Sequence, residues 1–244
     1  MERKSAYTAL AEWFEYLNDD CDYEKWSQYL LSRIAPYSFQ AGLDVGCGSG
    51  YFTRAFEMQG YAMTGIDVSP EMLDKAERLA LLHGARSMYL LGDISKKKLP
   101  RRFDFALSVN DCINYIPKDR LENAFKNVYG ALKKGGIFLL DISSERKFAE
   151  RIANTVSVDD RDDVTYLNFS RVNGDVAEME VTLFTRNADG SYTRQDERHI
   201  QYIYKKEEIV RALEQSGFEV LSVEGFLGES EESSDRLHFL ARRA

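Results

Sequence analysis

The chain is short of cysteine, of long apolar runs and of positive charge, and each shortage excludes something. Its 244 residues hold three cysteines, Cys21, Cys47 and Cys112, odd in number, widely spaced and without a C-x-x-C pair. A disulfide framework and a structural metal centre are therefore not expected, and a reducing compartment fits. No apolar stretch approaches the roughly 18–20 residues that span a bilayer. The first twenty residues carry Glu2, Glu12, Glu15, Asp19 and Asp20, so the apolar core of a signal peptide is not expected there, and the expected location is cytoplasmic. Against 40 Asp+Glu stand only 32 Lys+Arg, a net charge of −8. That balance argues against nucleic acid as a partner, because phosphate binding draws on a surplus of Lys and Arg.

What is present is an ordinary globular composition, 44% apolar and 30% charged. The length fits one large domain, or one domain with a substantial insert. From residue 40 to 142 strands alternate with helices. The strands are 41–45, 61–66, 87–91, 103–109 and 137–141. Between them lie a helix over 51–59 ended by Gly60 and a helix opened by Ser69 and Pro70 and stopped at Gly84. A further helix runs from a cap at Asp119 to about 132. Ser at the N-cap, Pro at the first helical position and Gly at the end are start and stop signals with a mechanism. Such alternation predicts a parallel sheet with helices on both faces.

After about residue 154 the pattern changes. Asn173-Gly174 and Asp189-Gly190 are two-residue hairpin signals, and they divide the segment into strands at 164–172, 175–186 and 191–203. Helical spacing returns over 206–215. Two closing strands, 218–223 and 237–240, flank the acidic loop 228–235 and suggest a final antiparallel hairpin.

The informative stretch is LDVGCGSGYFT, residues 43–53. Glycines at 46, 48 and 50, between a strand and a helix, let backbone approach a ligand at a helix N-terminus. A phosphate-binding Gly-Lys-Ser/Thr is absent, and G-x-G-x-G is not the dinucleotide spacing G-x-G-x-x-G. Asp44 points into this turn, where a carboxylate suits a cation and repels a pyrophosphate. A sulfonium- and ammonium-bearing ligand, S-adenosylmethionine, fits better than a nicotinamide dinucleotide. Asp67 closes the second strand and Asp93 the third, so three acids stand at the carboxyl edge where open parallel sheets bind ligands.

LDVGCGSG, GIDVSPEML, LGDI, LPRRFDFALSV and LKKGGIFLLDI resemble, in order and spacing, the motifs of class I S-adenosylmethionine-dependent methyltransferases. The resemblance covers about residues 40–142, with the 206–243 tail in the expected arrangement. It implies an α/β fold with a Rossmann-like seven-stranded sheet, mostly parallel with an antiparallel last strand, plus an antiparallel β-meander insert. It implies S-adenosyl-L-methionine as cofactor, with Asp44, Gly46, Cys47, Gly48 and Gly50 around the methionine moiety and Asp67 on the ribose. Val68 and Met72 follow in the second motif, Asp93 and Ile94 border the adenine, and Asn110 and Asp111 line the pocket after strand four. The lead-in over 11–26 is similar to a subgroup of small bacterial methyltransferases with a Tyr-Asp…Tyr…Trp opening. Here Phe14-Glu15 stands for Tyr-Asp, while Tyr23 and Trp26 match. Members of that subgroup carry a β-insert over the active site, and RHIQYIY at 198–204 resembles the strand that ends it.

The division implied is a helical lead-in or lid over 1–36, a cofactor-binding core over 37–154 and 204–244, and the β-insert over 155–203. Tyr7, Phe14 and Trp26 serve either as a lid on the cofactor or in plain helix packing. The N/D-P-P-Y signature of amino-group methylation on nucleobases and glutamine is absent, as is a Pro-Cys nucleophile, so Cys47 and Cys112 read as packed thiols. If both hairpins are two-residue turns, Met179, Val181, Ile200 and Tyr202 share one face and Glu178, Glu180, His199 and Gln201 the other. His199 is then the candidate catalytic residue, facing the acceptor as orienter or base, unless that face is simply solvated.

The expectation is an enzyme, monomer or homodimer, that methylates a small-molecule acceptor on N or O without a metal, a membrane or nucleic acid. Its rivals are an RNA or protein methyltransferase using the basic run Lys96–Lys98 and Arg101-Arg102, a non-catalytic cofactor-binding regulator, and a nicotinamide oxidoreductase.

Overall fold

The computed structural model describes residues 4–99 and 103–244. A short strand, β1 (Lys4–Ser5), precedes two helices, α1 (Leu10–Leu17) and α2 (Tyr23–Ile34). Asp22 caps α2, its carboxylate accepting from Lys25 N at 3.0 Å. Strands and helices then alternate: β2 (Ala41–Val45), α3 (Tyr51–Glu57), β3 (Ala62–Asp67), α4 (Pro70–Leu82), β4 (Met88–Leu91), β5 (Phe103–Ser108), α5 (Lys118–Ala131) and β6 (Leu132–Ser143). Ser69 caps α4 as its sequence promises, accepting from Met72 N at 3.1 Å with Pro70 behind it. At α5 the cap position belongs to Pro117, not Asp119, which lies in the first turn. A carboxylate there still meets the positive end of the helix dipole. The single turn α6 (Glu145–Lys147) leads to β7 (Val156–Asp160), β8 (Val164–Asn173), β9 (Val176–Arg186) and β10 (Tyr192–Tyr202). The chain ends with α7 (Lys206–Gln215), β11 (Phe218–Gly225) and β12 (Arg236–Arg243).

The main sheet has seven strands in the order β11-β12-β6-β5-β2-β3-β4. Strands β2 to β6 run parallel, and β12 runs antiparallel to both its neighbours. Alternation along β6 explains why both faces are apolar. Phe138, Leu140 and Ile142 enter one core with Phe125 of α5 and Leu213 of α7. Ile137 and Leu139 enter the other with Trp26 and Ile34 of α2 and Phe56 of α3. A strand buried on both sides reads as a continuous apolar run, as 137–140 does before the buried Asp141.

A second sheet has the order β1-β10-β9-β8-β7. Its three long antiparallel strands lie where the hairpin signals put them, and two more flank them. β7 is a short, polar edge strand, VSVDD. β1 pairs in parallel with β10, joining Lys4 to Glu197 and Ser5 to Arg198. No local pattern announces a pairing between such distant positions.

The register of this sheet overturns the expected face assignment. Asn173 pairs with Val176, so Gly174-Asp175 forms the first turn rather than Asn173-Gly174. Arg186 pairs with Tyr192, leaving a loop over 187–191 instead of a two-residue turn. The longer loop slips β10 by one residue against β9, and a one-residue slip turns every side chain over. His199 pairs with Met179, Glu197 with Val181 and Gln201 with Ala177. Those polar residues therefore share the inner face with Met179 and Val181, while Glu178, Glu180, Arg198 and Ile200 share the other. A third small core, in which Ala9 and Leu10 meet Val164, Val181 and Leu183, fastens α1 to this inner face.

Candidate functional site

At the carboxyl edge of the main sheet the glycine turn and the ends of β3, β4 and β5 enclose a cavity of about 450 Å³. Gly46 has φ +70° and Gly48 φ +52°, values that L side chains rarely adopt, and a Cβ on Gly46 would lie 2.1 Å from Cys112 Sγ. The turn is pinned from β3. Gly46 N donates to Ile66 O at 2.7 Å, and Gly48 N to Asp67 Oδ2 at 2.9 Å. Ser69 N donates to the other oxygen of Asp67, also at 2.9 Å. Each carboxylate oxygen keeps lone-pair capacity for a ligand hydroxyl.

Asp44 is only 2% exposed and accepts from Thr53 Oγ1 at 2.6 Å. Burial pushes its carboxyl up to about 6, with the Thr53 bond opposing and the nearby Asp67 charge adding to the rise. A buried carboxylate without a cation beside it is costly, and a cationic ligand relieves that cost. Burial also raises Asp67, against the bonds from Ser69 and Gly48. Asp93 stands at the rim. Burial opposes its ionisation, but the Ser95 hydroxyl and amide and the Lys96 ammonium at 3.1 Å hold it below the usual carboxylate range. Ile94 and Met72 are buried in the wall, and Val68 is an exposed part of the border. Cys47 and Cys112 line the cavity as thiols whose ionisation burial suppresses, Cys112 up to about 12.

The N-terminal segment covers this cavity. Tyr7, Phe14 and Glu15 line it. Ser49 Oγ donates to Glu15 Oε1 at 2.6 Å and Arg54 Nη2 to the same oxygen at 3.0 Å, while Ser69 Oγ donates to Tyr7 O at 3.1 Å. Trp26 instead lies in the core, stacked edge-on against Phe52 with ring centroids 5.1 Å apart. Of the three residues weighed as a lid, two lie over the cavity and one packs.

A second cavity, of about 270 Å³, lies between α1, the residues after β5 and the inner face of the second sheet. Tyr7, Phe14, Asn110 and Tyr115 border both cavities. His199 lines only the second. It is 3% exposed, with Nδ1 3.0 Å from Tyr115 Oη and Nε2 3.0 Å from Glu197 Oε2. Glu197, 1% exposed, also accepts the amides of Tyr7, Ala9 and Leu10. Burial works against its charge, but His199 and those amides outweigh it and keep its carboxyl below the ordinary range.

Asn110 and Asp111 have φ of +64° and +65°, a strained pair for side chains other than glycine. Their amides both donate to the buried Asp141 carboxylate, at 2.8 and 3.0 Å. Arg236 lies 2.8 Å from Asp111 and from Asp141, and Lys147 3.1 Å from Asp111. Burial opposes the charge on Asp111, yet these two cations hold it far below the carboxylate range. The network fixes the bend that aims Asn110 at the junction of the cavities.

The first cavity gathers Asp44, Gly46, Cys47, Gly48, Asp67, Val68, Met72, Asp93, Ile94 and Asn110. Two expected residues fall elsewhere. Gly50 caps α3 with φ +79° and shapes the turn without lining the cavity. Asp111 lines the second cavity, because the bend at 110–111 turns its carboxylate toward Arg236 and Lys147. Residues that pattern reading passes over include Glu197, Tyr115 and Ser49, each an ordinary polar residue until tertiary contacts give it a partner. Of the basic run, Lys96 pairs with Asp93 and Lys97 Nζ donates to Leu91 O at 2.6 Å, while Arg101 and Arg102 lie outside the described residues. Among the described residues no His, Cys, Asp and Glu cluster could hold a metal ion, and no helix is long and apolar enough to cross a membrane.

Residues 43–136 match a family profile described as a methyltransferase domain. A Geobacillus sp. (strain WCH70) protein named as a methyltransferase is 26% identical over 245 residues, covering 97% of this chain and 99% of that one. YqeM of Bacillus subtilis (strain 168), also named as a methyltransferase, is 28% identical over 98% of this chain and 97% of its own. The crystal structure of an S-adenosylmethionine-dependent methyltransferase from Clostridium acetobutylicum ATCC 824 superposes with a TM-score of 0.88 at 29% identity, covering 98% and 99% of the two chains. With the carboxylate-lined glycine turn at the edge of a seven-stranded sheet, these matches make the chain an enzyme, a methyltransferase with S-adenosyl-L-methionine as its cofactor.

Proposed function

We propose that this enzyme methylates a nitrogen or oxygen atom of a small molecule seated in the second cavity. The observation that carries this is the shared wall: Tyr7, Phe14, Asn110 and Tyr115 border both cavities. The two cavities therefore adjoin, which sets an acceptor in one beside a methyl donor in the other. The size of the second cavity, about 270 Å³, lies below the roughly 300–1,000 Å³ of pockets for drug-sized ligands, which favours a compact acceptor. Lys96 and Lys97 are turned to the chain itself, which lends no support to a polyanion footprint there.

When bound, the cofactor supplies a methyl carbon activated by its sulfonium. In our reading Asp44, Gly46, Cys47 and Gly48 surround its methionine moiety, and Asp67 accepts the ribose hydroxyls. Val68, Met72, Asp93 and Ile94 border the adenine, with Asn110 at the junction. His199, held by Glu197, orients the acceptor or receives its proton. Residues 1–36 act as the lid, 37–154 with 204–244 as the cofactor-binding core, and 155–203 as the roof of the acceptor cavity. Each chain carries both cavities, so a monomer or a homodimer serves equally. Holding donor and acceptor in line supplies much of the acceleration of such a displacement.

A labelled-methyl assay run side by side on deproteinised and RNA-containing extract fractions tests this. Label is expected in the small-molecule fraction. Label confined to RNA or protein overturns the acceptor class, and a His199→Ala enzyme with unchanged turnover removes the role given to His199.

A further inference from the structure

Building on the small-molecule reading above, we propose that the acceptor is a compact primary or secondary amine that enters as an ammonium ion and passes its proton to His199 along Tyr7 and Tyr115. The hydrogen bonds run in one direction. Tyr7 Oη donates to Tyr115 Oη at 3.0 Å, and Tyr115 Oη stands 3.0 Å from His199 Nδ1. Glu197 gathers three backbone N–H groups besides the imidazole, a donor set that only a carboxylate satisfies. His199 Nε2 therefore carries the hydrogen and Nδ1 the lone pair, a tautomer assigned from the network. The chain starts at the Tyr7 oxygen, in the wall between the cavities. Burial raises both phenols well above their ordinary values, so they hand a proton on rather than rest as phenolates.

The lining of the second cavity selects the substrate. Asp111 and Asp159 contribute carboxylates, Asn18 and Asn110 amides, and Tyr166 a phenol, and no Lys or Arg is among the described residues that line it. A carboxylate- or phosphate-bearing acceptor finds no cation there to pair with, whereas an ammonium meets acceptors. The charged and titratable groups facing the relay are Glu197 on β10, Tyr166 on β8, Asp159 on β7, Asp111 after β5 and Asp67 at the end of β3. Asp111 is balanced by Arg236 and Lys147, and Asp159 by Arg161 at 2.8 Å.

An ammonium has no lone pair and cannot be methylated until it loses a proton. It is an acid of pKa about 10, whereas an alkyl alcohol is far weaker. In the first step the N–H proton moves to Tyr7 Oη, the Tyr7 proton to Tyr115 and the Tyr115 proton to His199 Nδ1. That leaves a neutral amine and an imidazolium paired with Glu197. The amine lone pair then forms the N–C bond while the S–C bond of the donor breaks, with the electron pair left on sulfur.

Two experiments test this on the full chain. Deproteinised extract is first separated on cation and anion exchangers at neutral pH, and each fraction is assayed with labelled S-adenosylmethionine. Acceptor activity is expected in the cationic fraction. Activity in the anionic or neutral fraction overturns the amine, and methylation of RNA or protein alone overturns the small-molecule reading itself. With the cationic fraction as substrate, Tyr115→Phe and His199→Gln are expected to lower turnover at pH 7 by about 10²-fold. They should recover to within about twofold of wild type near pH 10, where about half of the amine is already neutral. A deficit equal at both pH values, or none, overturns the relay. Without substrate, ¹⁵N spectra of the histidines, assigned with His199→Gln, are expected to give an unprotonated Nδ1 that shifts in Tyr115→Phe. A hydrogen on Nδ1 overturns the direction of the chain.

Discussion

Glu197 on β10 accepts the Leu10 amide at 2.9 Å across 187 positions of sequence, and so caps α1 from the second sheet. The Tyr7 and Ala9 amides converge on the same carboxylate, and β1 pairs alongside, Lys4 with Glu197. The first helix is tied to the inner sheet by its donors and by the small core around Leu10 and Val181. The segment over the first cavity is therefore held by the sheet whose inner face lines the second.

Replacing Glu197 with Gln leaves an amide group facing backbone donors in a buried place. A loss of about 1–3 kcal/mol is expected, read as a lower unfolding midpoint in urea. Amide exchange should quicken over residues 9–17 and stay unchanged in β5 and β6. Because its folded pKa lies below the unfolded value, the contribution of Glu197 is full above about pH 4.3. It is lost as the pH falls through the lowered folded value.

Asp44 carries a pH dependence of the opposite kind. Burial raises its carboxyl to about 6, so the stability of the free enzyme from this group is greatest below the unfolded pKa and is lost as the pH rises through 6. A cationic cofactor favours the ionised form. Its affinity should be full above about pH 6 and weaken below it by up to about tenfold per pH unit. Calorimetric titration from pH 5 to 8 checks the slope, and Asp44→Asn should flatten it.

For Asp67→Ala the expectation is a loss of cofactor affinity of about 10- to 100-fold with the fold retained. The carboxylate holds Gly48 N and Ser69 N, each at 2.9 Å, and bonds to charged groups are worth about 1.5–3 kcal/mol. Unchanged affinity by calorimetry contradicts the role given to Asp67.

Gly46→Ala meets two obstacles that can be separated. The new Cβ would fall 2.1 Å from Cys112 Sγ, and the backbone sits at φ +70°. A destabilisation of about 1–3 kcal/mol is expected. Adding Cys112→Ala removes the sulfur but keeps a Cβ 2.8 Å from the new methyl, together with the backbone strain, so the double variant should recover part of the loss and not all of it. Full recovery would assign the whole cost to packing.

Several features of the site are local, and those were legible. Ser69 and Pro70 start α4 because a cap and a fixed φ act within one turn. Gly46 and Gly48 take positive φ because their neighbours along the chain demand a tight turn between a strand and a helix. Asp44, Asp67 and Asp93 reach the same sheet edge because parallel strands end in register on one side. Asp111 lines the second cavity rather than the first because adjacency to Asn110 does not reveal a bend locked by Asp141, Arg236 and Lys147, which arrive from β6, β12 and α6.

By itself, then, the sequence determined the alternating sheet, the glycine turn and the acids around the first cavity, since period, caps and turn chemistry act over a few residues. Only the tertiary structure decided which face of β10 carries His199. A loop over 187–191 in place of a two-residue turn shifts the register by one position, and in a pleated strand one position is the difference between the outer face of the sheet and the inner face that lines the second cavity.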